Sequence, residues 1–284
     1  MIYGLNQEGK RISAAYATKL EKQKYFCPCC NSELVLKNGK INSAHFAHKN
    51  LSDCDTFTQD MSDWHKAWQE QFPEKYREVV ITLKLNEFEY NWAAYNFNFY
   101  TGPKDKARAN CSNTYLSNKK KMLTIKHRAD VCINGYVIEF QHSPISTKEF
   151  NERNWFYTKA GYKVIWIFDF IEEFKNEQIK SYDEWNKEFD HGAKYSWDNC
   201  KKIFKNFIPQ ESKNIKILFQ IKEPENQIDN YFLKDRFTPK ENFLCRVVWA
   251  IEEENKESNF KRFFMSFKPK NKDDFKKMIL EKKL

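Results

Sequence analysis

Hydrophobic and polar positions alternate with a changing period along the chain, and the changes mark its elements. Trp64, Trp68 and Phe72 recur at every fourth residue, the spacing that aligns one helix face, so residues 61–72 are predicted helical. Ser62 stands at the N-cap position and Pro73 at the stop. Val79–Leu85 alternates weakly and predicts a strand, with Glu78 at its start. Further on, two apolar-rich runs flank Asn134-Gly135, the dipeptide of a two-residue type I′ hairpin. Ser146-Thr147-Lys148-Glu149 then has the form of a capping box opening a helix, and Gly161 is placed to close it. Tyr162–Phe168 is nearly all apolar, β-branched and aromatic, as in a buried parallel strand. Hairpin, helix and returning strand predict an α/β core with a right-handed crossover.

The remaining pattern is weaker. Residues 86–124 are aromatic and then basic, with no assignable period. Residues 170–214 read as helices and loops, and 215–267 offer strands at Ile215–Ile221, Leu244–Ile251 and Phe263–Phe267. The basic tail suits either phosphate contact or a solvated helix.

Composition narrows the class. Of 284 residues only 7 are Gly, which excludes collagen-like and Gly/Ser low-complexity chains. Mean hydropathy is −0.81, yet 17 % of the residues are aromatic, enough apolar area to make disorder a poor description. No apolar run approaches the ~20 residues of a membrane span, and no apolar leader follows Met1. A soluble, cytoplasmic protein is expected. The net charge of +9 permits a nucleic-acid partner.

Eight cysteines in such a chain point to metal ligation or buried thiols before disulfides. Cys27 and Cys30 form a knuckle in Cys27-Pro28-Cys29-Cys30, followed by His45-Phe46-Ala47-His48 and Cys54. Two thiolates on a tight turn, facing a second pair of ligands, build a small tetrahedral Zn²⁺ site. His48, His45 and Cys54 compete for the second pair, with His48 and Cys54 favoured. Leu34–Lys37 and a turn at Asn38-Gly39 suggest a short hairpin between them, as in a zinc ribbon.

The hairpin register carries the chemistry. A two-residue loop at 134–135 sets Ile133 against Tyr136, Val131 against Ile138, Ala129 against Phe140 and His127 against His142. That face is apolar and suits the core, with His142 structural on it. The opposite face carries Cys132–Val137, Asp130–Glu139, Arg128–Gln141 and Lys126–Ser143. Asp130 and Glu139 should therefore stand opposite each other with Cβ atoms about 5 Å apart, a repulsive pairing unless a cation lies between them. Mg²⁺ or Mn²⁺ suits such a site, since it takes one or two carboxylates plus waters and phosphate oxygens. It would polarise a phosphoryl group and acidify a bound water. Gln141 would orient that water but cannot supply a positive charge. The competing description is two carboxylates on a solvated face beside Arg128.

His127-Arg128-Ala129-Asp130-Val131, with Val137-Ile138-Glu139-Phe140-Gln141-His142-Ser143-Pro144-Ile145-Ser146, resembles the competence protein CoiA-like family. That family carries a nuclease domain of the PD-(D/E)XK, restriction-endonuclease-like superfamily. The likeness continues through Glu152-Arg153, Phe156-Tyr157 and Val164-Ile165-Trp166-Ile167. Phe26-Cys27-Pro28 with the His45–His48 run looks like the family's N-terminal zinc-ribbon-like element, and Ser62-Asp63-Trp64-His65 like its first nuclease helix. The resemblance implies Asp130 and Glu139 as metal ligands, with Gln141 in place of the superfamily's Lys. It leaves Lys126, Arg128 or Lys148 to supply the missing cation. It also makes His65 and Glu78 candidates for the polar residue of the first helix or strand, although His65 equally suits a helix surface or cap. Arg153 and Tyr157 share a helix face, where they would bind phosphate or brace the helix.

The expected architecture is a zinc-ribbon-like module over 1–57, a restriction-endonuclease-like mixed-sheet core over 58–170, and an α+β region over 171–284 that binds nucleic acid or a protein partner. The expected function is a divalent-metal-dependent deoxyribonuclease in DNA uptake, recombination, repair or defence. The alternative is a catalytically weak nucleic-acid-binding module on the same fold.

Overall fold

The structure is a computed structural model that describes residues 1–17, 23–38, 44–49, 62–97, 121–183, 193–197, 214–221, 243–246, 248–250, 262–266 and 270–281. The chain divides into two compact units, Met1–Cys132 and Ile133–Leu284.

The first unit opens with five short strands, β1 (Tyr3–Leu5), β2 (Arg11–Ser13), β3 (Tyr25–Phe26), β4 (Glu33–Lys37) and β5 (His45–His48). They form an antiparallel sheet in the order β2-β1-β3-β4-β5. Its core is small: Tyr25, Leu34, Leu36 and Phe46, with Cys27 and Cys29 beside them. A core of that size needs a staple. The predicted hairpin is present, with Lys37 paired to His45 across the connection 38–44. Gly39 lies outside the described residues.

Helix α1 (Asp63–Gln69) follows, with the Ser62 hydroxyl accepting from the His65 N–H at 3.2 Å. It is shorter than predicted, because the Gln71 and Phe72 N–H groups bond three residues back and tighten the last turn. Trp68 and Phe72 are nonetheless buried as their spacing required. Strand β6 (Arg77–Asn86) pairs antiparallel with β7 (Met122–Ile133) from Arg77↔Val131 to Asn86↔Met122. Along β7, His127, Ala129, Val131 and Ile133 are buried and the residues between them are not, the alternation expected of this strand. The unassigned stretch contains helix α2 (Glu87–Asn96), opened by a reciprocal capping box between Asn86 and Glu89.

Two polar ties fasten the N-terminal strands to this ribbon. Glu78, buried and left-handed with φ 44°, accepts the backbone N–H groups of Ile2 and Tyr3 at 3.0 and 3.2 Å. Lys126 Nζ donates to the Cys29 carbonyl at 2.9 Å, inside the knuckle. Arg11 adds a third contact, its guanidinium 3.8 Å above the Tyr3 ring and bonded to the Glu74 and Arg77 carbonyls. Burial pushes the Tyr3 phenol above its ordinary pKa, against the opposing pull of Arg77.

The second unit begins at the turn. Asn134 and Gly135 have φ of 53° and 84°, both positive as type I′ requires. Strand β8 (Tyr136–Gln141), helix α3 (Thr147–Lys159) and strand β9 (Lys163–Asp169) form a βαβ unit, with β8 and β9 parallel. Ser146 caps the helix by accepting from the Glu149 N–H at 3.1 Å. Gly161, at φ 92°, ends it in a Schellman arrangement, with Gly161 N–H to Thr158 O and Tyr162 N–H to Tyr157 O. A short helix α4 (Ile171–Lys175) leads to strands β10 (Ile179–Asp183) and β11 (Ala193–Trp197). These two strands correct the expectation of helices and loops over 170–214.

Strand β12 (Ile215–Ile221) has the predicted bounds and pairs parallel with β9. The single strand expected at 244–251 is broken into β13 (Phe243–Arg246) and β14 (Val248–Ala250), which join different sheets. Strand β13 pairs with β12 and β16 (Lys270–Asn271), and β14 pairs with β15 (Arg262–Ser266), itself beside β11. The tail forms helix α5 (Lys272–Leu280), which buries Phe275 and Ile279. Asn134 Nδ2 donates to the Ile279 and Leu280 carbonyls, so the hairpin turn caps that helix's end. No described helix is long and apolar enough to cross a membrane.

Candidate functional site

The candidate metal centre of the first unit is built on a turn. The Cys27 N–H donates to the Ser32 carbonyl and the Asn31 N–H to the Cys27 carbonyl, with Asn31 left-handed at φ 62°. This closes the knuckle and brings the Cys27 and Cys30 sulfurs onto His48, all three ligand atoms lying within 4.8 Å of one another. Cys30 Sγ is 3.5 Å from His48 Nε2. Strand β5 explains why His48 and not His45 joins them. His48 pairs with Leu34 and Phe46 with Leu36 on the buried face, whereas His45 pairs with Lys37 and Ala47 with Val35 on the exposed one. Two thiolates and an imidazole are the soft and borderline donors that Zn²⁺ prefers over Mg²⁺ or Ca²⁺. Cys54 lies outside the described residues.

Strand β7 presents Asp130 to helix α1. His65 Nε2 lies 3.0 Å from Asp130 Oδ1, and Gln69 Nε2 donates to the same oxygen at 3.2 Å. His65 and Gln69 are one helical turn apart and themselves 3.2 Å apart. Asp130 and His65 keep 17 % and 18 % of their side-chain surface exposed, while Gln69 is fully buried. Sequence reasoning selected His65 and missed Gln69. The signal was available: residues 65 and 69 share a helix face, and a polar residue on the buried side of Trp68 demands a partner. Glu78 is not joined to this group by any described hydrogen bond. Its register position is opposite Asp130, between Arg77↔Val131 and Val79↔Ala129; its Oε2 is used on β1, while its Oε1 is buried with no hydrogen-bond partner among the described residues.

In the second unit every residue of β8 is buried. Glu139 retains 2 % exposure, and its Oε2 accepts from Arg153 Nη1 at 2.6 Å. Arg153 Nε lies 3.4 Å from Glu149 Oε1, one turn earlier on α3. Arg153, a candidate DNA contact by sequence, is thus a buried partner of two acids. The Gln141 amide donates to the Ser143 carbonyl just beyond the strand. His142 departs from the inner-face expectation: it is half-exposed where β8 ends, with Nδ1 2.8 Å from Asp169 Oδ2. Of the basic candidates, Lys126 is exposed and tied to Cys29, while Arg128 and Lys148 are half-buried.

Comparison with known proteins agrees with both units. The family model described as Competence protein CoiA, N-terminal domain, matches residues 9–57. The model described as Competence protein CoiA, nuclease-like domain, matches residues 113–232. Competence protein CoiA of Bacillus subtilis (strain 168) is 35 % identical over 54 residues, which is 19 % of this chain and 14 % of that protein. No solved structure matches the chain. With two family models covering the zinc-type knuckle and the βαβ unit, the chain belongs to the competence protein CoiA-like family.

Proposed function

We propose that this protein is a nuclease that hydrolyses DNA phosphodiester bonds with the help of Mg²⁺ or Mn²⁺. The observation that carries the reading is Glu139, an ionisable acid buried to 2 % inside the nuclease-like match, with a built polar surround. Buried carboxylates are rare outside paired or metal-binding roles. The positive φ of Asn134 and Gly135 is what the proposed pairing of Asp130 with Glu139 requires of the turn, and it supports that reading. Their oxygens are the hard donors that Mg²⁺ and Mn²⁺ take. A bound ion would supply Lewis-acid polarisation of the phosphate and a more acidic water. The residues do the rest: His65 and Gln69 hold the Asp130 carboxylate, and Arg153 holds that of Glu139. Arg128, Lys126 and Lys148 are the surface cations assigned to the DNA backbone. Glu78, strapped to β1 through Oε2, stays the candidate for the polar residue of the first strand through its buried Oε1.

The N-terminal centre is proposed as a structural Zn²⁺ site of Cys27, Cys30 and His48 with Cys54 as fourth ligand. The domain boundaries remain 1–57, 58–170 and 171–284, the last region contacting nucleic acid or a protein partner in the cytoplasm. The working context is DNA uptake, recombination, repair or defence.

Single-stranded, duplex and branched DNA incubated with Mn²⁺ test the reading. Cleavage that Asp130→Ala and Glu139→Ala both abolish is the expected result, and cleavage that survives either change refutes the assignment. A second reading, a DNA-binding module without catalysis, is favoured by the Gln141 amide, which carries no charge and is engaged by Ser143. It predicts salt-sensitive binding with no metal-dependent loss of substrate.

A further inference from the structure

One side chain already occupies the carboxylate that the proposed metal site requires. Arg153 Nη1 lies 2.6 Å from Glu139 Oε2, and the side chains retain 10 % and 2 % of their surfaces. Its Nε faces Glu149 Oε1 at 3.4 Å. The helix that carries Arg153 is fixed at several points. The Ser146 cap and the Gly161 terminus set its ends. Asn154 Oδ1 accepts the Trp166 indole N–H at 2.8 Å, and Phe150, Phe156 and Tyr157 are buried. Arg153 therefore does not reach its partner as a mobile surface cation does.

A carboxylate buried this deeply needs a bonded partner, and here that partner is a cation at 2.6 Å. Guanidinium never gives up its own proton. We infer that Arg153 is a positioning residue, the internal counter-ion of Glu139. It holds the carboxylate aimed in the metal-free protein, and it weakens divalent-cation binding by its own fixed positive charge. It is also the cation closest to Glu139 in this unit that can stand in for the charge Gln141 lacks. Glu149 moderates both effects, because it shares the guanidinium. This inference rests on the proposed role of Glu139 as a metal ligand.

The test is a calorimetric Mn²⁺ titration of the full chain, read beside cleavage of duplex DNA at saturating Mn²⁺. Glu139→Gln should lose most Mn²⁺ binding; if it binds as the parent does, the metal-site reading itself fails. Given that loss, Arg153→Gln should bind Mn²⁺ about tenfold more tightly, since a repelling charge is gone, yet cleave at least about tenfold more slowly. Arg153→Lys keeps the charge and should stay within about twofold of the parent's affinity while recovering part of the cleavage. Glu149→Gln should weaken Mn²⁺ binding by about threefold, because Arg153 then bonds Glu139 alone. Folded Arg153→Gln with unchanged or weaker Mn²⁺ affinity overturns the inference and leaves the metal site standing. Should Arg153→Gln fail to fold, unchanged or tighter binding by Glu149→Gln overturns it equally.

Discussion

Asp130 and Glu139 are both acids on strands beside one turn, yet they live in different surroundings. Asp130 keeps 17 % of its side-chain surface exposed and is held by a histidine and an amide. Glu139 is sealed at 2 % and is held by a permanent cation. Near water a carboxylate is stable with dipolar donors alone; deep burial demands a full counter-charge. The first unit therefore tolerates loss of its acid better than the second does. Two residues proposed for one chemical task should differ sharply in what they do for stability.

The largest expected effect breaks the function and separates the stabilities. Glu139→Ala and Asp130→Ala should each reduce DNA cleavage by at least about a hundredfold, as loss of a metal ligand does. Glu139→Ala strands Arg153 with Glu149 alone and should lower unfolding stability by about 3 kcal/mol. Asp130→Ala should cost about 1 kcal/mol or less, typical of a partly exposed polar site. Urea unfolding decides the matter, and equal losses would erase the contrast between the two surroundings.

Next in size is loss of the Zn²⁺ proposed for the first unit. Cys27→Ser should abolish retained Zn²⁺ and destabilise the five-stranded sheet by about 3 kcal/mol or more. Hydrogen exchange should then rise along β3, β4 and β7 before it rises along β8 and β9; a uniform rise would contradict the separation of the units. A smaller effect concerns the donors on Asp130. His65→Ala should lower cleavage by about tenfold with stability changed by under about 1 kcal/mol, and Gln69→Ala should cost more stability because it is fully buried. Kinetics and thermal melts on the two variants read this directly. The last effect is at the turn and touches stability alone: Gly135→Ala, at φ 84° with open space for the added Cβ, should cost about 1–2 kcal/mol from backbone strain.

Much of the βαβ unit was legible because local signals agreed there. Asn134-Gly135, the Ser146 cap, Gly161 and the apolar run of β9 each act within a few residues, and the structure keeps all four. The Ser146 box is only half made, since Glu149 turns to Arg153 instead of back to the cap. Helix α2 was missed although Asn86 and Glu89 spell its capping box, because aromatic residues surround the helix without forming a stripe. Strands β10 and β11 were missed because β-structure depends on pairing with segments far along the chain. The same limit applied at the site. Spacing set Arg153 on one face with Tyr157, but the contact to Glu139 crosses from helix to strand, and helical periodicity carries no such information. The charged tail, which suited either phosphate contact or a solvated helix, forms a helix that buries Phe275 and Ile279 and is capped by Asn134.

The tie between Lys126 and the Cys29 carbonyl bears on how assays of this protein are interpreted. Lys126 and Asp130 are four residues apart on one strand, so the knuckle and the acid share a support. A chelator added to strip Mg²⁺ would also compete for the Zn²⁺ proposed at Cys27, Cys30 and His48. Inactivation by chelation would then have two causes that look alike in a gel. Only staged restoration tells them apart: Zn²⁺ first, followed by a check that the fold has returned, and then Mg²⁺ or Mn²⁺ in a separate step. Protein prepared from zinc-poor culture should stay inactive however much Mg²⁺ is supplied, until Zn²⁺ is restored.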